Sequence, residues 1–415
     1  MNLIVARACS NSCPYCFETT ERKNNENDLI SLENAALFAS WAQKSHVESI
    51  SLLGGEPFIH PLLGEISALF RRICPDAVLT IFTGGIFEGQ LLDQLPLDDV
   101  GLVFNVNEAR DYRTANKFSR VLDNIETAIR KGFTVRLGFN VWRKDFDTSF
   151  MPHLSHRFGR SSFRWTVANP QLGATSKVIA PAEFDELSKR CVSMLKESSH
   201  LSIEAQLDCP LPLCFFTNSD LAWIQKHHPS TASRMGTCHP VLDITPELDV
   251  IRCFALSSLE RVKLTDFKNE RELQLWFQKH LDQNLIAEGV YEKCAACPHF
   301  LTGRCQGYCL AWHKATEKST GTNEYSLAQD MYAALRVGKP RVALRKFKNA
   351  AFWHKTPLSA FLAAQAAFSL GLLDDAFRYA AVAQDTTTDN ILKTRTRTLI
   401  SNIPQLPRSF ERKSH

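Results

Sequence analysis

Apolar residues over the first 170 positions alternate between two periods. Short β-rich runs lie at Leu3–Ala6, Glu48–Leu53, Ala77–Phe82, Val100–Val106, Thr134–Val141 and Phe163–Ala168. Stretches with helical spacing separate them, near 31–44, 62–73, 88–95, 120–131 and 147–158. Strands alternating with helices predict βαβ units, hence an α/β fold with a parallel sheet. Ser31-Leu-Glu-Asn offers an N-cap for the first helix, and Pro61 sits where the second should begin.

The pattern changes beyond that region. Residues 171–205 read as a bridging segment with one helix near Pro181–Lys196, and 206–325 lose the regular period. Residues 326–400 are rich in Ala and Leu and predict helices, and 401–415 read as a disordered tail. The helical part repeats itself. Gly338, Ala343, Phe347 and Ala350 are followed, 33 residues later throughout, by Gly371, Ala376, Ala380 and Ala383. Small residues at these spacings let paired helices approach closely. The pattern resembles the tetratricopeptide repeat, whose period is about 34; an ordinary helical cap on the preceding domain is the alternative.

The length of 415 residues suggests two or three domains. No apolar run reaches the roughly 18 residues that cross a membrane, and residues 2–7 are too short an apolar stretch for a signal peptide. The cytoplasm is the expected compartment. Thirteen cysteines are many for a reducing compartment, where disulfides are rare, so metal or cluster ligation is the better account. Residues 326–415 hold fourteen Lys and Arg against six Asp and Glu, so this end is basic and suits an acidic peptide or other acidic partner. Few aromatics interleave with these cations, so nucleic acid is not an expected partner, and neither is a membrane.

The cysteines fall into groups. Cys9, Cys13 and Cys16 form a C-x3-C-x2-C set in a polar, turn-like loop after the first strand. Three thiolates can hold three irons of a [4Fe–4S] cube and leave the fourth iron open; zinc would want a fourth ligand nearby. Eight more lie between Cys209 and Cys309, enough for two four-thiolate clusters. Cys74 and Cys191 sit in helix-like stretches and read as buried structural thiols.

The N-terminal trio, with Tyr15 before its last cysteine, resembles the motif of the radical S-adenosylmethionine (SAM) superfamily. Leu53-Gly-Gly-Glu-Pro-Phe58 resembles its GGEP element. The resemblance implies a partial (β/α)6 barrel over residues 1–170, with chemistry at the C-terminal ends of the strands. It implies a SAM-binding [4Fe–4S] cluster on Cys9, Cys13 and Cys16. Tyr15, Gly54, Gly55 and Glu56 would line the SAM site, with the Glu56 carboxylate taking the ammonium of the methionine moiety. Asn105 and Asn107, which share a face at the end of the fourth strand, and Asn140 at the end of the fifth would complete it. Thr83-Gly-Gly85 departs from the family's Thr-Asn-Gly and is assigned no ligand.

The later group is Cys238, Cys253, Cys294, Cys297, Cys305 and Cys309. In order and mostly in spacing it resembles the SPASM domain, a carrier of auxiliary Fe–S clusters in peptide- and protein-modifying radical SAM enzymes. A zinc ribbon is the rival. Leu248 stands where that pattern has glycine, seven residues separate Cys297 from Cys305 where five is usual, and no cysteine follows Cys309. The family pattern would place Cys238, Cys253 and Cys309 on one cluster and Cys294, Cys297 and Cys305 on another. Cys209 and Cys214 would complete them in an order left open, and a single auxiliary cluster also remains open.

The expected activity is that of a radical SAM peptide maturase. A 5′-deoxyadenosyl radical would take hydrogen from a ribosomally made precursor peptide, giving an oxidative C–S, C–C or C–O crosslink or another side-chain modification. A flavodoxin or ferredoxin would supply electrons. The alternatives are oxidation of a protein Cys or Ser to formylglycine, as in anaerobic sulfatase maturation, and a non-catalytic Fe–S and helical-repeat scaffold.

Overall fold

A computed structural model describes residues 1–16, 29–97, 99–172, 177–179, 183–239, 241–288, 294, 297–315, 324–349, 357–387 and 389–403. The chain forms two compact units, Met1–Leu281 with Tyr308–Ala315, and Asp282–Gly307 with Thr316–His415.

The first unit is built on one sheet. Strands β1 (Asn2–Ala6), β2 (Ser49–Gly54), β3 (Val78–Thr83), β4 (Val100–Asn105), β5 (Thr134–Val141), β6 (Ser162–Val167) and β7 (Glu204–Leu207) lie side by side in chain order, all parallel. On the free side of β1, β8 (Asp243–Ile244) pairs parallel, and β9 (Asp249–Ile251) and β10 (Arg261–Lys263) extend the sheet antiparallel. The sheet is open, with β10 and β7 at its edges. It is the α/β architecture with a parallel sheet that the sequence pattern predicts, and the partial barrel that the resemblance implies gains a seventh parallel strand.

Local chemistry sets the helices. In α1 (Leu32–Lys44) Ser31 caps the start, its Oγ accepting from the Asn34 amide at 3.0 Å. Ala35, Phe38, Ala39 and Ala42 form the buried stripe at helical spacing. Three differences from the sequence expectation have physical reasons. Instead of a helix over 88–95 there is a 3-10 turn, Gly89–Gln94, closed off by Pro96. It packs on α2 (Leu63–Ile73), where a methyl on Gly64 would stand 2.5 Å from the Gln94 carbonyl oxygen. The helix α3 (Ala115–Arg130) begins five residues before position 120, because its first turn is largely exposed and carries no apolar period. The segment read as a bridge holds α5 (Phe184–His200) after α4 (Phe150–Arg157), and α5 leads into β7, a seventh parallel strand. Pro181 lies outside the described residues.

The second unit is helical: α6 (Glu324–Arg336), α7 (Pro340–Asn349), α8 (Pro357–Ser369), α9 (Leu373–Thr386) and α10 (Asn390–Asn402). The last helix extends to Asn402, past the 401 boundary, and 404–415 lie outside the described residues. The 33-residue repeat has a structural meaning. Gly338 (φ +68°) and Gly371 (φ +72°) occupy the left-handed position just past α6 and α8. Each carries the same pair of closing bonds, Gly338 N–H to Leu335 O (3.0 Å) with Lys339 N–H to Ala334 O (2.8 Å), and Gly371 N–H to Phe368 O (3.0 Å) with Leu372 N–H to Ala367 O (2.9 Å). These are Schellman ends. Ala343, Phe347, Ala376, Ala380 and Ala383 are buried; Ala350 lies outside the described residues.

No atom lies within 4 Å of a methyl built on Gly338, so Gly338→Ala tests backbone strain alone. It should lower the stability of this unit by about 1 kcal/mol. Hydrogen exchange of the α6 and α7 amides should rise correspondingly, and unchanged protection would contradict the assignment.

Candidate functional site

Because β1 to β7 are parallel, their C-terminal ends share one rim of the sheet. The cysteine loop leaves β1 at that rim, and Gly54-Gly55-Glu56 leaves β2 beside it. The two loops are joined by backbone. Gly55 N–H donates to Ala6 O and Glu56 N–H to Ala8 O, both at 2.8 Å. A methyl on Gly54 would stand 2.1 Å from Ala6 O, and one on Gly55 2.3 Å from Ala8 O. The glycines therefore let backbone meet the cysteine loop, rather than a ligand directly.

Glu56 is 2% exposed. Its Oε1 accepts from Thr83 Oγ1 at 2.7 Å and from Phe58 N–H at 3.3 Å, and its Oε2 accepts from Gly84 N–H at 2.9 Å. Burial pushes its carboxyl up to about 7, against the pull of those bonds toward the ionised form. Thr83 and Gly84, assigned no role from sequence, thus hold the Glu56 carboxylate beside the cysteine loop. The available signal was their place at the end of β3.

The other strand ends converge on Tyr15, itself buried. Its hydroxyl donates to Asn107 Oδ1 at 2.6 Å and is also bonded by the Asn140 side chain. Asn107 Nδ2 reaches Cys13 Sγ at 3.7 Å, and Asn107 N–H donates to the Tyr112 hydroxyl at 3.1 Å. Asn105 is half-buried over β5, where a methyl on Gly138 would stand 2.5 Å from its Oδ1. Burial, with Cys16 and Cys9 close by, pushes the Cys13 thiol up to about 12. Glu108, Asp145 and Asp147 lie near the strand exits and are engaged structurally. Glu108 Oε2 accepts from Arg143 at 2.6 Å and Arg110 at 2.9 Å, and its Oε1 accepts from Asp147 N–H at 2.9 Å. Asp145 pairs with Arg110, and Asp147 caps Ser149 N–H.

A second thiol group forms in the same unit. Cys209 lies two residues past the end of β7, Cys238 and Cys253 flank the β8–β9 hairpin, and Cys309 returns on the segment 308–315. Phe184 of α5 holds that segment through Tyr308 and Trp312, at ring separations of 5.2 and 6.5 Å. Trp312 Nε1 donates to Asn169 Oδ1 at 3.2 Å. Burial raises the thiols of Cys209, Cys253 and Cys309, the last to about 12, and the proximity of the others in the set adds to it. Among the described residues no three Cys, His, Asp or Glu side chains converge as on a single metal ion. Thiols close enough to oppose one another's ionisation ionise together only with positive charge among them, which is what an Fe–S core supplies. The donor set fits such a group.

The remaining cysteines divide. Cys214 is exposed in a 3-10 turn, Leu213–Phe215. Cys294, Cys297 and Cys305 belong to the second unit, with Cys297 N–H donating to Cys294 O at 3.1 Å and Gly307 N–H to Cys305 Sγ at 3.4 Å. Cys74 is buried with its thiol on Ala39 O at 3.2 Å, and Cys191 is fully buried.

Residues 3–148 match the sequence profile of the radical SAM superfamily. The chain carries a radical SAM domain. A probable GTP 3′,8-cyclase of Saccharolobus solfataricus is 27% identical over 157 residues, 36% of this chain and 50% of that protein. A GTP 3′,8-cyclase of Brucella ovis is 27% identical over 165 residues, 37% of this chain and 47% of that protein. The chain thus spans about half the length of these relatives. Among solved structures, SuiB of Streptococcus suis bound to precursor peptide SuiA superposes with a TM-score of 0.54 at 15% identity, covering 77% of this chain and 73% of that one. Native anSMEcpe with bound AdoMet superposes with a TM-score of 0.54 at 14% identity, covering 84% of this chain and 99% of that one. These likenesses concern the fold. A radical SAM domain implies a [4Fe–4S] cluster and SAM as cofactors, and the cysteine-rich remainder fits auxiliary clusters. No helix among the described residues is long and apolar enough to cross a membrane.

Gly55→Ala should clash with backbone that cannot retreat without breaking the β1–β2 pairing. A cost of about 1–3 kcal/mol is expected, concentrated in the cysteine loop. Iron content after anaerobic reconstitution should fall by the iron of the N-terminal site, while circular dichroism keeps the sheet; full iron retention would contradict this.

Proposed function

We propose that this radical SAM enzyme modifies a ribosomally made peptide, using SAM at the β1–β2 rim and clusters beyond it to carry off an electron. The observation that carries the reading is the second thiol group, Cys209, Cys238, Cys253 and Cys309, gathered in the unit that also holds the Cys9-Cys13-Cys16 loop. Hydrogen abstraction leaves a substrate radical, and closing a crosslink from it requires one more electron and a proton to leave. A metal–sulfur acceptor in the same unit suits that oxidative outcome. The cofactors supply the radical chemistry; the protein orients them and excludes water.

Cys9, Cys13 and Cys16 hold the SAM cluster in this reading, Glu56 takes the SAM ammonium, and Tyr15 with Asn107 and Asn140 shapes the wall. Gly54 and Gly55 fix the loop, and Asn105 lies at the wall's edge. Cys209 completes the set of Cys238, Cys253 and Cys309. Cys294, Cys297 and Cys305 form the core of a second auxiliary site, and Cys214 is left without a role. The basic helical unit favours an acidic peptide, and a flavodoxin or ferredoxin supplies electrons. SuiB with SuiA and anSMEcpe with the Cp18Cys peptide are solved as peptide complexes on this fold, which supports a peptide substrate. Formylglycine formation on a Cys or Ser, likewise an oxidation of a peptide side chain, is the second reading.

The deciding experiment is mass spectrometry of candidate peptides co-expressed from neighbouring genes. Loss of two hydrogens with no aldehyde is expected. A hydrazine-reactive aldehyde on a former Cys or Ser would select the second reading, and unchanged masses with active SAM cleavage would overturn the first.

Glu56 adds a pH dependence. A carboxyl raised to about 7 is ionised only above that value, and an ammonium binds the ionised form. SAM affinity should therefore fall as pH drops through 7, with proton release on binding below it. Glu56→Gln should weaken binding about tenfold or more and flatten the pH profile. Equilibrium dialysis between pH 6 and 8 measures both.

A further inference from the structure

Arg252, the residue before Cys253, is 1% exposed, one of the most deeply buried charges in the chain. It lies just after β9, and its Nη2 donates to Cys238 Sγ at 3.5 Å. A buried guanidinium is costly without compensation, because it always carries its charge. Its charge also reaches Asp243 of β8, a carboxylate that is itself 1% exposed and accepts from Asn2 Nδ2 at 2.7 Å.

Such a residue does more than pack. Four thiolates around an Fe–S core make a strongly negative centre, and one-electron reduction adds a further charge. A fixed cation hydrogen-bonded to a ligand sulfur favours the reduced form, since cluster potentials follow net charge and hydrogen bonds to sulfur. We propose that Arg252 is a positioning residue that raises the reduction potential of the auxiliary site on Cys209, Cys238, Cys253 and Cys309, making it an electron acceptor. The inference rests on the reading of those four cysteines as cluster ligands. In the step it serves, the substrate radical loses one electron to this cluster and one proton to solvent, and the new bond closes.

The test is a potentiometric EPR titration of reconstituted holoenzyme at pH 8, with iron counted per chain. Arg252→Gln keeps a donor and removes the charge. At the potential where the wild-type auxiliary signal is half developed, the ratio of reduced to oxidised cluster should fall about tenfold, a downward shift of about 59 mV for a one-electron couple. Arg252→Lys, which keeps the charge, should hold the potential closer to wild type. Asp243→Asn removes the counter-charge and should move the potential the opposite way, and it remains decisive if Arg252→Gln fails to retain iron. An intact auxiliary signal at the wild-type potential in both Arg252→Gln and Asp243→Asn would overturn the proposal. A wild-type protein with only the N-terminal cluster's signal would instead overturn the ligand reading beneath it.

Discussion

The backbone contact between the first two strand ends is the constraint on which the rest of the structure depends. Ala6 and Ala8 offer carbonyls that Gly55 and Glu56 take at 2.8 Å, at a distance no side chain at 54 or 55 would permit. That closeness fixes the cysteine loop to β2, aims the Glu56 carboxylate inward and brings it within reach of Thr83 and Gly84. Arg7, between the two carbonyls, is 2% exposed and forks onto Glu247 at 2.7 and 2.9 Å. The same loop is thereby tied to the turn of the β8–β9 hairpin, which Cys238 and Cys253 flank. The Arg7 guanidinium holds the Glu247 carboxyl down at about 2, so this tie is fully present above pH 4.5 and lost as acid approaches 2.

Six strands were legible in the sequence because each is a β-rich run bounded by turn residues. The seventh was not. Glu204–Leu207 is four residues long and buries only Ala205 and Leu207, too little alternation to separate from a loop. Missing β7 also hid the place of Cys209, which gains meaning from lying two residues past a strand end on the rim. The Cys9-Cys13-Cys16 trio and Gly54-Gly55-Glu56 were legible as motifs, since local spacing carries them. The partners of Glu56 and Tyr15 were not, because they come from β3, β4 and β5 and meet only in the folded sheet. Asn107 and Asn140, expected at the SAM site, spend hydrogen bonds on the Tyr15 hydroxyl and so act first on the wall.

Leu248 shows how a departure from a family pattern can be absorbed. It stands where the SPASM pattern that this segment resembles has glycine, and its φ of +61° is a left-handed conformation that costs a leucine about 1–2 kcal/mol. Yet it is 8% exposed, and burying a leucine side chain returns about 1.5–3 kcal/mol. Burial matches or exceeds the strain, so the turn keeps its geometry without glycine. Its amide still closes on Thr245 O at 2.9 Å, and its carbonyl accepts from Leu264 N–H at 3.1 Å. The hairpin between Cys238 and Cys253 is therefore preserved by packing where the pattern alone would have put it in doubt.

The same logic governs charge in this unit. Arg7, Glu56, Asp243 and Arg252 are each 2% exposed or less, a concentration of buried ionisable groups that hydrophobic folding alone would not select. Arg7 is matched by a carboxylate, and Glu56 by three hydrogen-bond donors. Asp243 and Arg252 partly balance one another, while Arg252 also points a donor at sulfur. Each buried charge therefore sits on a loop or strand end that presents cysteine, or on the strand beside one. Stability would be served as well by apolar residues at these positions. What apolar residues cannot supply is a fixed field at the thiols, and that field is the property on which the proposed electron transfer would draw.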